Sequence, residues 1–205
     1  MQGHAHPVQQ GRINPPPLYL NNIELKQVQV MRILGVLLQA DLKWNAHVDH
    51  ICNTASHRLY LLRRRKYFHV PKEDLVSVYV CYVRPVTEYA APVWHSGLTS
   101  ALSQKIETIQ RRAVRKILGS DYSGYTDACT ILHLPTLQAR RSNLTLNFAT
   151  SLLSSELYRH FLPPVRQPIS SRRTRSSNKL HLQRCRTDRY KNSAIPQMTR
   201  LMNNT

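Results

Sequence analysis

The chain has 205 residues, 41% of them hydrophobic, which suffices for one domain or one domain plus a tail. Its 29 Lys and Arg against 11 Asp and Glu leave a net charge of +18, so an anionic partner is expected: nucleic acid first, with a membrane surface as the competitor. Met1 to Asn14 lacks the apolar centre of a signal peptide and no run of about 18 apolar residues occurs, so secretion and membrane spanning are not expected and a reducing intracellular setting is.

Residues 1–16 are polar and end among Pro15, Pro16 and Pro17, which reads as a disordered leader. Residues 17–44 read as β structure. Leu18 to Leu20 and Ile23 to Leu25 flank Asn21-Asn22, a pair that tolerates positive φ and predicts a tight hairpin. Val28 to Leu38 reads as one longer strand with Gly35 inside it, a place where backbone can approach closely. Residues 45–162 read as a helical domain. Asn45 is the expected cap of a helix over 46–67, with Val48, Cys52, Ala55, Leu59 and Leu62 on one face. Pro71 opens a second helix that carries Glu73 and Asp74 in its first turn. Leu75, Val78, Tyr79 and Tyr82 form its expected buried face, and Pro85 is expected to end or kink it. Val86 to Trp94 reads as a further short helix broken at Pro92. Thr99 caps the clearest helix, Ser100 to Leu118, with Leu102, Ile106, Ile109, Ala113 and Ile117 inward and Gly119 as its left-handed stop. A short helix is expected over 127–133, capped by Thr126. A long one is expected from Thr136 to about Phe161, with Leu137, Leu144, Phe148 and Leu152 inward and Pro163-Pro164 as the stop. Residues 163–205 are rich in Arg, Ser and Asn and read as a basic, largely disordered tail.

No catalytic constellation is legible. Two-metal chemistry needs adjacent carboxylates. Glu73-Asp74 is such a pair, but its place at a helix start is what the macrodipole alone favours. His50 and His57 stand two turns apart, too far for one ion, and with His47 they read as partly exposed neutral residues. Cys52, Cys81, Cys129 and Cys185 lack zinc-site spacing. Ser96-Gly97 reads as a turn rather than a nucleophile elbow. The positive signal is cationic. Arg63, Arg64, Arg65 and Lys66 form one cluster. Lys105, Arg111, Arg112, Arg115 and Lys116 form a second, and Arg140 with Arg141 a third. Facing one groove they would hold phosphates; singly, each is equally well a solvated helix face. Tyr60, Tyr67 and Tyr122 could stack on bases, although aromatic residues of a helical domain more often fill its core.

The order of segments carries a resemblance. Leu18-Tyr19-Leu20-Asn21-Asn22-Ile23-Glu24-Leu25, then Ile33-Leu34-Gly35-Val36-Leu37-Leu38, then Asp41-Leu42-Lys43-Trp44-Asn45-Ala46-His47-Val48 resemble the region just after the catalytic core in reverse transcriptases of non-LTR (LINE, jockey-like) retrotransposons. Tyr82-Val83-Arg84-Pro85 with Glu88-Tyr89 and Trp94 is similar to that family's RP-x-x-EY block. Lys105-Ile106-Glu107 with Ile109-Gln110-Arg111-Arg112-Ala113 is similar to its IQ-RRA helix, and Leu134-Pro135-Thr136-Leu137 with Arg140-Arg141 to its LP-x-L helix. The tail, Arg173 to Ser177 and Tyr190 to Pro196, fits too, except that Met202 precedes Asn203 where the family tends to have tryptophan. The likeness runs over about residues 15 to 203. It implies a mainly α fold: a small β remnant followed by a thumb-like helical bundle. It implies that Leu34 and Gly35 correspond to the primer grip, and that the helices hold a template–primer duplex of RNA, DNA or hybrid. No cofactor and no small-molecule substrate are expected for this chain. The family's Tyr-x-Asp-Asp carboxylates would lie upstream, on palm and fingers that become a partner. The rival expectation is an independent helical nucleic-acid-binding or scaffold protein derived from such an element.

Overall fold

The computed structural model describes residues 16–166 and 179–204; the expected leader and the Arg173 to Ser177 stretch fall outside them. The architecture is mainly α, with two hairpins at the N-terminal side. Strands β1 (Tyr19–Leu20) and β2 (Ile23–Glu24) pair antiparallel, Tyr19 opposite Glu24. Asn21 and Asn22 take φ of 50° and 62°, the two positive values that a two-residue turn matching strand twist requires. The hairpin lies on the surface, with Leu18, Tyr19, Leu20 and Ile23 all exposed.

The expected single strand over 28–38 is instead a second hairpin, β3 (Val30–Ile33) against β4 (Val36–Gln39), with Ile33 opposite Val36. Leu34 and Gly35 form its turn at φ of 46° and 86°. Gly35 enters that region freely, whereas Leu34 carries a cost of roughly 1–2 kcal/mol for a left-handed conformation. Tyr89 holds the turn in place, its hydroxyl donating to the Leu34 carbonyl at 2.8 Å. The glycine does mark a close approach: a Cβ on Gly35 would stand 3.2 Å from Tyr89 Cε1.

Helix α1 (Asn45–Tyr67) buries the expected face of Val48, Cys52, Ala55, Leu59 and Leu62, and His47 and Ile51 with it. Trp44, not Asn45, occupies the cap position, and no side chain caps this end. His47 is thus buried rather than partly exposed: its Nδ1 accepts from the Leu37 N–H at 3.3 Å, and Trp94 packs edge-on at 5.3 Å.

Helix α2 (Lys72–Val78) runs on through a π-helical turn (Tyr79–Val83) into α3 (Arg84–Glu88), so Pro85 neither ends nor breaks the run. The wider turn, in which the Arg84 N–H reaches back to the Tyr79 carbonyl, moves the buried face onto Val83 and Thr87. Tyr82, expected inside, is therefore outside, with the Arg58 guanidinium over its ring at 4.6 Å. Ala90, at φ 51°, reverses the chain into α4 (Ala91–Trp94); Pro92 sits in the first turn of that helix and starts it rather than breaking it.

Helix α5 (Ser100–Leu118) has the bounds the sequence predicts. Thr99 Oγ1 accepts from the Leu102 N–H at 3.3 Å, and Gly119 follows at φ 65°. Helix α6 (Tyr125–Ile131) begins earlier than expected, after Gly124, and Thr126 does not cap it. Helix α7 (Leu137–Ser154) stops short of Phe161, which belongs to a separate 3-10 turn (Arg159–Phe161). Its buried column is Leu137, Arg141, Thr145 and Ala149, while Phe148 faces solvent.

Two cores result. The larger joins α1, α2, the π turn, α4, α5, α6 and the start of α7. The smaller closes the far end of α7 with Ala149, Leu162 and Met198. Met198 belongs to α9 (Ala194–Asn204), which follows α8 (Asp188–Lys191). The stretch expected to be a largely disordered tail thus contributes packed structure. Its few apolar residues, Ile195, Met198 and Met202, recur at helical spacing and are enough to dock one helix.

Candidate nucleic-acid interface

Helices α1 and α5 lie side by side and run the same way. Contacts between them ascend together: Asp49 with Lys105 at 2.6 Å, then Ser56 with Arg112 at 3.1 Å, then Lys66 with the Ile117 carbonyl at 3.1 Å. The sequence dictates this pairing, because each helix carries one continuous apolar stripe and Ala55 and Ala113 have no bulk to keep the two apart.

The polar rim of the seam changes character along its length. At its start Asp49 neutralises Lys105. Towards the C-terminal ends the cations accumulate: Arg63, Arg64, Arg65 and Lys66 on α1, and Arg112, Arg115 and Lys116 on α5. Among the described residues none of these forms an ion pair with a carboxylate. Carbonyl dipoles at two parallel helix ends attract some of this charge, but each end supplies only about half an elementary charge. Lys116 records the excess. Its ammonium is held below the usual lysine range, first by partial burial and then by repulsion from Arg63 and Arg112. A concentrated, uncompensated cation cluster on a rigid helical seam is what phosphate oxygens neutralise. Arg111 lies apart from it, over the Tyr125 ring at 5.1 Å.

The third cluster is different. Arg140 forks onto Glu88, Nε and Nη2 each donating to one carboxylate oxygen at 3.0 Å, and Arg84 approaches the same carboxylate at 3.4 Å. Arg141 is fully buried, at 0% exposure. Its Nη2 donates to Ser103 Oγ at 3.1 Å, its Nε faces His95 Nδ1 at 3.4 Å, and its guanidinium lies 5.9 Å from the Trp94 ring centre. Burial holds its pKa below the ordinary arginine value. No phosphate reaches Arg141, and Arg140 is already matched, so this pair organises the fold rather than the cationic surface.

Leu34 and Gly35 are not part of the seam's basic end. Leu34 projects from the β3–β4 tip at 87% exposure. Strand β4 is tied to the first turn of α1, where the Ala46 N–H donates to Gln39 Oε1 at 2.8 Å. The basic cluster lies at the opposite end of that helix. From His47 to Arg63 the helix rises about 24 Å at roughly 1.5 Å per residue.

Several structurally important polar residues escaped the sequence reading. Glu107 accepts the backbone N–H groups of Leu137 and Gln138 at 3.0 and 3.2 Å, and the Tyr125 hydroxyl as well. Gln110 accepts from the Tyr79 hydroxyl at 2.8 Å and donates to the Pro135 carbonyl at 2.9 Å. A signal for both existed. They continue the helical column whose other members, Val114 and Leu118, are apolar and buried. Glu73 and Asp74 are exposed in the first turn of α2. Among the described residues no group of three His, Cys, Asp or Glu is placed to hold a metal ion, and no helix is long and apolar enough to cross a membrane.

No protein-family model matches this chain, and no solved structure does. Among curated proteins it is similar to a probable RNA-directed DNA polymerase from transposon X-element of Drosophila melanogaster, with 27% identity over 116 residues. That match takes in 54% of this chain but only 12% of the polymerase, so the chain spans a small part of the relative's length. The likeness supports a relationship with the RNA-directed DNA polymerases of transposons.

Proposed function

We propose that the chain is the thumb and connection part of a non-LTR retrotransposon reverse transcriptase. In this reading it holds template–primer nucleic acid by its phosphates, while the polymerising carboxylates reside on another part of the parent enzyme. The observation that carries the proposal is the grouping of Arg63 and Arg112 about Lys116 along the C-terminal half of the α1–α5 seam, without carboxylate partners among the described residues. The exposed apolar residues of β1 and β2 are surface that palm and fingers would cover.

The test is a binding series with an RNA–DNA hybrid against salt. Each phosphate neutralised contributes about −0.9 to the slope of log K on log salt. Replacing Arg63, Arg112 and Lys116 together by Glu should flatten the slope by about three contacts' worth. A slope that the triple variant leaves unchanged overturns the proposal. Templated DNA synthesis by the purified chain would overturn the placement of the carboxylates elsewhere.

A second reading, an independent helical nucleic-acid-binding or scaffold protein derived from such an element, is favoured by one feature. The bundle closes its own core, with Trp94, Tyr79 and Ile106 at 0% exposure. Cooperative unfolding of the chain alone, without association with palm and fingers, would favour it.

A further inference from the structure

The end of α1 presents more than charge. Tyr60 is 53% exposed, Tyr67 77% and Phe68 64%; the first two lie in the last turns of the helix that carries Arg63 to Lys66, and Phe68 follows its end. Tyr67 and Phe68 meet edge to face at 5.5 Å. Arg63 lies 5.2 Å from the Tyr60 ring centre and Arg64 5.8 Å from that of Phe68. Across the seam Arg115 lies 5.9 Å from the ring centre of Tyr122, just beyond the end of α5.

This arrangement is not what a duplex-gripping surface needs. Duplex phosphates take up Arg and Lys and have no use for uncovered rings, because paired bases are already stacked on one another. Nor do these rings serve the core, which Leu59 and Leu62 complete from the inner face of the same turns. Flat π faces interleaved with guanidinium planes are what unstacked bases occupy, with the strand's phosphates on the neighbouring cations. A membrane interface also takes aromatic and basic side chains together. The uncompensated cation cluster running on along the seam continues as a track for a polyanionic strand, and the observations favour the strand.

We propose that the C-terminal end of α1 is a single-strand platform: Tyr60, Tyr67 and Phe68 stack on unpaired bases of a strand that leaves the duplex at the α1–α5 seam. The proposal rests on the nucleic-acid reading above and adds the class of substrate at this end of it.

The test uses the full chain and three probes: a single strand of about 12 nucleotides, an abasic strand of the same length, and a duplex of that length. Wild type should bind the base-bearing strand at least about ten-fold more tightly than the abasic one, since base–aromatic stacking is of that size. Changing Tyr67→Ala with Phe68→Ala should remove most of that preference and leave duplex affinity within about two-fold. Tyr67→Leu with Phe68→Leu keeps apolar bulk without π faces and should behave like the alanine pair. Equal binding of abasic and base-bearing strands by wild type overturns the platform, as does equal loss on single strand and duplex. Vesicles containing phosphatidylserine test the membrane: binding that falls in the alanine pair and returns in the leucine pair assigns the rings to lipid and overturns it too. The two proposals fail separately, because the seam variants report on the duplex and the ring variants on the single strand. All the rings are exposed, so the substitutions leave the core intact.

Discussion

Glu107 caps a helix that begins thirty residues later in the chain: its Oε1 accepts the Leu137 N–H at 3.0 Å, in the first turn of α7. Its other oxygen takes the Gln138 N–H, and Thr136 Oγ1 takes that of Ala139, so the first three amide donors of α7 are satisfied from two directions. The carboxylate also sits where the helix dipole is positive. Together with Gln110, which donates to the Pro135 carbonyl, Glu107 ties the Lys105 to Ala113 block to the Leu134 to Arg141 block.

Removing that cap should therefore be costly. Glu107→Ala leaves one buried and one part-buried amide unpaired, the buried one worth roughly 1–3 kcal/mol, so a loss of about 2–3 kcal/mol is expected in urea unfolding. Glu107→Gln keeps an acceptor oxygen and should lose about half as much. A loss below about 1 kcal/mol for the alanine variant would mean that water replaces the carboxylate.

Arg141 and Arg112 should separate cleanly. Arg141→Ala empties a buried site beside Trp94 and unpairs Ser103, and should cost about 3 kcal/mol of stability while leaving the salt slope of nucleic-acid binding unchanged. Arg112→Ala should do the reverse, shifting stability by less than about 0.5 kcal/mol and the slope by about one phosphate contact. Thermal unfolding and binding titrations on the same preparations check both.

The β3–β4 turn should respond to backbone substitutions in opposite directions. Gly35→Ala forces a side chain to φ 86° and against Tyr89, which should cost about 1–2 kcal/mol. Leu34→Asn places a residue that tolerates positive φ where leucine is strained, and should stabilise the hairpin by roughly 0.5–1 kcal/mol. Chemical denaturation of the pair is the measurement; a destabilising Leu34→Asn would show that the exposed leucine is held by something other than turn geometry.

Acid should weaken the fold before the carboxylates titrate. Burial holds the His47 and His95 pKa values down to about 4, against 6.5 for the free side chain. Between those values the unfolded chain binds protons that the folded one refuses, so stability rises with pH across the window. It is fully present above about pH 6.5 and is lost as pH falls to about 4, with up to about 3 kcal/mol from His47 alone. His47→Gln should remove about half of the fall in the urea midpoint between pH 6.5 and 4, leaving the part due to His95; a midpoint profile identical to wild type would remove His47 as a cause.

Legibility differed by element for physical reasons. Helix α5 could be read to the residue, because a threonine cap, an apolar stripe at 3.6-residue spacing and a terminal glycine are all local signals. The Asn21-Asn22 turn was equally plain. The π turn at Tyr79–Val83 was not: nothing local marks a turn that trades one hydrogen-bond register for another, and its effect, Tyr82 outside and Val83 inside, depends on what α1 and α5 present. The docked helix α9 was missed because its apolar residues are too few to suggest a core alone; the far end of α7 supplies the other half.

The sequence by itself determined a basic, mainly helical chain with cations on particular helices, since charge and periodicity are local properties. Only the tertiary structure decided which cations are available. Arg140 and Arg141 look identical in sequence to Arg111 and Arg112, yet Glu88 matches one and Trp94, Ser103 and His95 enclose the other. Arg63 on one helix meets Arg112 and Lys116 on another across the seam of two parallel helices, and a helix cannot encode what its neighbour brings to the seam.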